Sequence, residues 1–355
     1  MRRWTSLAPL LALVVLALAA LLGAGLVLGA LAALALVAAV FASVHHAEVV
    51  AHRVGEPLGT LVLAVAVTVI EASLILSMMI AGGPAKAALP RDTVFAAVMI
   101  IANGVVGICV LLGAIRHREQ SFRVEGAGSA LAALVALAAL TLVLPSFTTS
   151  TPGPTYTPSQ LVFAAVASLA LWAVFVFVQT VRHRDYFLPA SDPANEEAHA
   201  APPSNARAFT SFALLLAALV AVVGLAKVLS PALEHAIAAA GAPPAVIGVA
   251  IAILVLLPET VAAVRAARAD RLQTSLNLAL GSALASIGLT IPVVAAASLT
   301  LGIPVTLGLA AKDLVMLTLT FVVGGFTLAS GRSNVLQGAV HLVIFAAYLF
   351  LSLVP

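Results

Sequence analysis

The chain has 355 residues, of which 63% are hydrophobic and 9% charged, and its mean hydropathy is +1.17. A soluble domain carries roughly a quarter charged residues, so this composition excludes a soluble enzyme, a nucleic-acid binder and a disordered chain. It specifies a polytopic, all-α membrane protein in which the net charge of +3 reports topology. The single cysteine, Cys109, lies in an apolar run, which rules out an internal disulfide and a cysteine-based metal site.

A spanning helix needs about 20 apolar residues. The first apolar stretch, Leu7 to Val44, is nearly twice that length, and Gly23 and Gly25 divide it into spans over about 7–22 and 25–44. Further spans are predicted at about 57–81, 92–115, 127–146, 159–181, 208–229, 245–266, 273–298, 305–329 and 335–353, eleven in all. Arg2-Arg3 before the first span also fits a signal peptide. The many spans that follow favour its retention as an extra N-terminal helix over residues 1–24.

With the N-terminus in the cytoplasm, the cytoplasmic loops hold Arg2, Arg3, Arg53, Arg116, Arg118, Arg123, Arg182, Arg184, Arg207, Arg265, Arg268, Arg271 and Arg332. The opposite loops hold Lys86, Arg91 and Lys227, a strong positive-inside bias that places the C-terminus outside. A missed span in mid-chain would scramble this separation. The Pro-rich, acidic segment 184–206 reads as a cytoplasmic linker between two five-span halves, 25–183 and 207–355. An odd number of spans per half inverts the second half relative to the first, the plan of an inverted-repeat transporter.

Three acidic residues fall inside predicted spans: Glu71, Glu259 and Asp313. Glu71 lies in the second span of the first half and Glu259 in the second span of the second half, each about fifteen residues into its helix. Their helices run in opposite directions, so the two carboxylates are expected to meet near mid-membrane, where ionisable groups are costly and mark function. The alternative is a pair of structural contacts between helices. Pro258 removes a backbone donor just before Glu259 and frees carbonyls one turn back. Thr68 shares a face with Glu71, and the next helix of each half offers Asn103, or Ser282 and Ser286. Such hard oxygen ligands suit Ca²⁺ or Na⁺. Two carboxylates in an apolar site repel each other and lose hydration, so the empty site would hold protons at neutral pH. A cation would then displace the protons and the protons the cation. Mutually exclusive occupancy with alternating access gives exchange.

The run His46-Ala-Glu48, then His52-Arg53-Val-Gly55-Glu56-Pro57-Leu-Gly59-Thr60, leads into Ala66-Val-Thr68-Val-Ile-Glu71. It resembles the ChaA-type bacterial calcium/proton antiporters, in the cation/proton exchanger branch of the calcium:cation antiporter superfamily. Leu257-Pro258-Glu259-Thr260 and Asn277-Leu-Ala-Leu-Gly281-Ser282-Ala-Leu-Ala-Ser286 agree. The resemblance covers nearly the whole chain after about residue 40. It implies two inverted five-helix repeats, with Glu71 and Glu259 as the central cation- and proton-binding carboxylates. The chain departs from the wider branch where an Asn usually stands three residues before each glutamate: here those positions are Thr68 and Leu256.

His45, Glu48, His52 and Glu56 recur at helical spacing and form a candidate cytoplasmic vestibule, or else a polar helix start with Glu56-Pro57 as its cap. Lys312-Asp313 reads as a locally neutralised pair inside the tenth span, His341 as a satisfied polar contact, and Gly324-Gly325 as a close helix crossing. The acidic group Asp192, Glu196 and Glu197 reads as part of the linker. Trp4, Tyr156 and Tyr186 read as interface anchors. The whole predicts an inner-membrane Ca²⁺/H⁺ antiporter with no cofactor, whose partners are lipid, inorganic cations and protons. A Na⁺(K⁺)/H⁺ antiporter using the same carboxylates is the alternative, and a cation channel a more distant one. No nucleophile–base pair or metal motif points to an enzyme.

Overall fold

The structure, a computed structural model, describes residues 3–23, 25–55, 58–188 and 203–354. Among the described residues, eleven helices are long and apolar enough to cross a membrane: α1 (Arg3–Leu22), α2 (Leu26–Val54), α3 (Leu58–Gly82), α4 (Leu89–His117), α5 (Val124–Ser146), α6 (Pro158–Arg182), α7 (Asn205–Ala239), α8 (Ala245–Arg268), α9 (Leu272–Leu301), α10 (Ala311–Ala329) and α11 (Val335–Leu353). Among the described residues there is no strand, and the one isolated bridge joins Ser121 to Arg332. Local chemistry sets several helix ends. Thr157 and Asn334 open α6 and α11 with reciprocal capping boxes to Gln160 and Gln337. Gly55, at φ 76°, and Gly302, at φ 65°, close α2 and α9 in a region that costs glycine least.

Three predicted boundaries are corrected. The second span does not stop near residue 44, because α2 continues to Val54 and carries His45, His46, Glu48 and His52 on its last turns. The seventh is longer than expected, since Ser204 caps α7 from its side chain and the helix runs through Pro231 to Ala239. The tenth starts at Ala311, not 305, because residues 302–310 are irregular. Three of their N–H groups find partners in other segments: Thr306 donates to the Ala87 carbonyl, Gly308 to Pro154, and Leu309 to Leu142 at the end of α5. Irregular backbone near a membrane persists where protein supplies such partners. Sequence pattern also misses three π turns, at Ile100–Val105 in α4, Ala139–Val143 in α5 and Val178–Arg182 in α6.

The chain forms two compact units, Met1–Lys86 with His199–Pro258, and Ala87–Ala198 with Glu259–Pro355, so each unit draws on both halves of the sequence. In the first, α1, α2 and α7 pack together and α3 lies on α2 and α7. Buried alanines on α2 and α7, including Ala32, Ala39, Ala42, Ala218 and Ala221, let these backbones approach closely. His46 Nε2 donates to the Thr5 carbonyl of α1 at 2.9 Å, and Arg53 Nε donates to Asn205 Oδ1 at 2.8 Å. Lys86 pairs with Glu234 of α7 at 3.0 Å.

In the second unit, α4 is buried without a break from Thr93 to Gly107 and packs on α9 and α11. Gly104 faces Phe345, Gly107 faces His341, and Gly338 faces Leu111. These are close crossings, as is Gly288 of α9 against Trp172 of α6, whereas Gly324-Gly325 is not one: Gly324 makes ordinary contact with Leu131 and Gly325 has open space. Loops separate by parity at the two ends of this unit. At one end Phe122 N donates to Gly331 O, Ser333 N to Gln120 O, Arg123 Nε to Leu188 O and Gln120 Nε2 to Ala267 O. At the other, 302–310 bonds to residues 87, 142 and 154. The connections α4–α5 and α10–α11 thus pair at one end, and α9–α10 pairs with α5–α6 at the other, as spanning helices that alternate in direction require.

Candidate ion-binding site

α3 runs through a nearly unbroken apolar sequence in which Thr68 and Glu71 stand one turn apart on one face. Both are buried, at 5% and 4% exposure, and the neighbours Ile70, Ala72, Leu74 and Ile75 are buried and apolar. A charge in such surroundings is expensive unless it is paired, hydrogen-bonded or neutralised.

Glu259 is half-buried on α8, directly after Pro258, which lies inside the helix. Pro258 cannot donate to the Leu254 carbonyl four residues back, so that carbonyl loses its ordinary helical partner. Leu256, at the position where the related branch carries an amide, is buried. Ser282 is half-buried and Ser286 buried, one turn apart on α9. Thr68, Glu71 and Pro258 belong to the first unit, and Glu259, Asn103, Ser282 and Ser286 to the second.

Asn103 lies at the centre of the π turn in α4 and is fully buried. Its Nδ2 donates to Thr320 Oγ1 at 2.8 Å, and its Oδ1 is 3.2 Å from His341 Nδ1. Thr320 donates onward to the Met316 carbonyl, and His341 Nε2 is 3.0 Å from Thr327 Oγ1. His341 therefore is a polar contact, as expected, but its partner is a predicted site residue. Thr320 and Thr327 carry no periodic signal that sets them apart in an apolar helix, and the π turn has none either.

The candidate vestibule lies on the last turns of α2, with His45 half-buried and Glu48 and His52 exposed. Glu56 and Pro57 lie outside the described residues, as do Asp192, Glu196 and Glu197. His46, between the vestibule positions, is turned inward to Thr5 instead. The Lys312-Asp313 reading is corrected: both lie in the first turn of α10, not deep in a span, because the helix starts late. Lys312 donates to the Leu351 carbonyl of α11 at 2.7 Å, while Asp313 sits where a helix N-terminus favours a carboxylate. The direct ion pair at this end joins neighbours Arg91 and Asp92 at 2.8 Å, and Arg91 also donates to the Gly308 carbonyl. Among the described residues, no group of three or more His, Cys, Asp or Glu side chains could hold a metal ion.

The chain belongs to the sodium/calcium exchanger protein family, which it matches over residues 22–181 and 210–354. It is an ion antiporter by class, and its relatives are transporters. The protein y4hA of Sinorhizobium fredii, whose name refers to ionic transport, is 54% identical over 90% of this chain and 87% of its own length. The sodium-potassium/proton antiporter ChaA of Escherichia coli is 35% identical over 96% of this chain and 93% of its own. Among solved structures, native YfkE superposes with a TM-score of 0.74 at 17% identity, covering 99% of this chain and all of that one. The H⁺/Ca²⁺ exchanger CAX gives 0.73 at 16% identity, over 98% of this chain and 86% of that one. At those identities the two structures establish the fold.

Proposed function

We propose that the protein is a cation/proton antiporter of the bacterial inner membrane that carries Ca²⁺ outward against protons. Glu71 and Glu259 are its alternating cation- and proton-binding groups. The observation that carries this reading is that Glu71 is buried among apolar side chains, and that the second span of each predicted half of the sequence carries one glutamate. A carboxylate in apolar surroundings requires neutralisation, by a proton or by a cation. Thr68, Asn103, Ser282, Ser286 and the carbonyls released before Pro258 are the further oxygens assigned to cation binding in this reading, all of them hard donors. In this reading the arginine-rich loops face the cytoplasm, the N-terminus is cytoplasmic and the C-terminus is outside. His45, Glu48 and His52 then stand at the cytoplasmic mouth.

A second reading, Na⁺ or K⁺ against H⁺ at the same carboxylates, is favoured by the sodium-potassium/proton activity in the name of the ChaA relative. It is also consistent with Thr68 and Leu256 standing where amide ligands are usual in the related branch. The test is dissipation of a preformed ΔpH in everted vesicles on addition of Ca²⁺, Na⁺ or K⁺. We expect Ca²⁺-driven proton release, and its loss to about 1% or less in Glu71→Gln and in Glu259→Gln, as removing an essential binding charge demands. Unchanged exchange in both variants would sink the proposed site. Cation flux without proton movement would identify a channel.

A further inference from the structure

We propose that His341 is a positioning residue for cation binding, which fixes the side-chain amide of Asn103 so that its oxygen and not its nitrogen is available to the ion. This rests on the reading of Asn103 as a cation ligand.

An asparagine amide offers a cation one useful atom. Presented the other way round, its NH₂ repels the ion. Inside an apolar helix bundle nothing generic prevents that flip, and here three groups prevent it. Asn103 Nδ2 donates to Thr320 Oγ1 at 2.8 Å, and the Thr320 hydroxyl proton is directed to the Met316 carbonyl at 2.8 Å, so Thr320 is an acceptor toward Asn103. Oδ1 then faces His341 Nδ1 at 3.2 Å, which requires the proton on Nδ1. Nε2 becomes an acceptor and receives the Thr327 hydroxyl at 3.0 Å. The backbone of Ala102, in the same π turn, also faces the His341 ring. Flipping Asn103 would set its NH₂ against the Nδ1–H and leave Thr320 without its donor. The bond from Nδ1 uses one lone pair of Oδ1 and leaves the second for a ligand.

Packing holds the imidazole where this works. Gly107 lies under it, and a Cβ there would come 3.0 Å from the His341 Cβ. Gly104, next to Asn103, lies against Phe345, one turn after His341. The inverted half contains the corresponding crossing, with Gly288 of α9 against Trp172 of α6. There the residue before the glycine is Ile287, and the residue one turn before the aromatic is Ser168. The crossing therefore forms without an Asn–His pair. The polar chain is an addition in one half, which a purely architectural role does not explain.

The two ring nitrogens allow a discriminating test. An asparagine at 341 places an N–H near the position of Nδ1, whereas a glutamine reaches toward that of Nε2. We expect His341→Gln and His341→Leu to raise the KM for the driving cation about tenfold, with the maximal rate within about twofold of wild type, as loss of one orienting hydrogen bond predicts. We expect His341→Asn to stay within about threefold of wild type, with an unshifted pH profile. Equal impairment of all three variants, or better activity in His341→Gln than in His341→Asn, would overturn the proposal in favour of packing alone. A displaced pH profile in His341→Asn would overturn it in favour of proton carriage by the ring. Asn103→Ala separates this inference from its premise. If that variant keeps the wild-type KM while Glu71→Gln and Glu259→Gln are inactive, the carboxylate site stands and the role of His341 falls.

Discussion

Gly338 of α11 lies so close to Leu111 of α4 that a Cβ on Gly338 would stand 2.5 Å from the Leu111 backbone nitrogen. Backbone cannot yield as a flexible side chain can, so Gly338→Ala must push the two helices apart. We expect a loss of roughly 1–3 kcal/mol, in the range for overpacked cores, measured as a lower thermal midpoint in detergent. Gly128 of α5 has nothing within 4 Å of its Cβ position. Gly128→Ala is expected to be neutral, or stabilising by up to about 1 kcal/mol through helix propensity.

Gln120 joins three connections at one end of the second unit. It is 3% exposed, and its Nε2 donates to the Ala267 carbonyl at 2.9 Å and to Asp270 Oδ1 at 2.8 Å. Gln120→Leu keeps much of the volume and removes both bonds. A destabilisation of about 1–3 kcal/mol is expected from the buried acceptor left behind. A thermal midpoint equal to wild type would show that water replaces the amide.

His46 fastens α1 to α2 through the Thr5 carbonyl. His46→Leu should weaken that attachment by about 0.5–2 kcal/mol, the range for one hydrogen bond between membrane helices. The expected signature is faster labelling of a cysteine placed on the buried face of α1, for example at Ala12, with cation exchange retained. Exchange lost together with the labelling protection would show that α1 is part of the transport machinery.

Tyr156, in the loop before α6, donates its hydroxyl to the Leu140 carbonyl at 2.6 Å, and burial raises its phenol above the usual range. A phenol with a raised native pKa binds its proton more tightly folded than unfolded. Its stabilising contribution is therefore complete below about pH 10 and declines as pH rises through the native value. The stability difference between wild type and Tyr156→Phe should be constant from pH 7 to about 9.5 and shrink above it. A flat difference up to pH 11 would contradict the assignment.

Much of this protein is legible from residue order because the membrane imposes a simple rule. Each spanning segment must satisfy its own backbone, so hydropathy located the eleven helices, and the arginines marked the ends that the loop pairings of the second unit bring together. Glu71 and Glu259 stood out for the same reason: a carboxylate in an apolar helix has no inexpensive structural role. Reading failed where backbone departed from a regular helix. Residues 302–310 are apolar enough to be taken for the start of a span, but Gly302 ends α9 and the following carbonyls and amides find partners in other loops. Lys312 and Asp313 were misplaced in depth as a consequence. Gly324-Gly325 has the sequence of a crossing, whereas close approaches fall at Gly104, Gly107, Gly288 and Gly338, because which face of a helix meets a neighbour depends on the whole bundle.

Residue order alone fixes the environment, the span count, the charge asymmetry and the presence of two carboxylates inside apolar segments. All of these follow from the cost of placing charge or unpaired backbone in hydrocarbon, which is paid residue by residue. Which polar side chains meet follows from the packing of the helices. Asn103 and His341 are 238 positions apart, and His46 and Thr5 are 41 apart. A hydrogen bond over such separations depends on helix rotation and packing, which hydropathy does not encode.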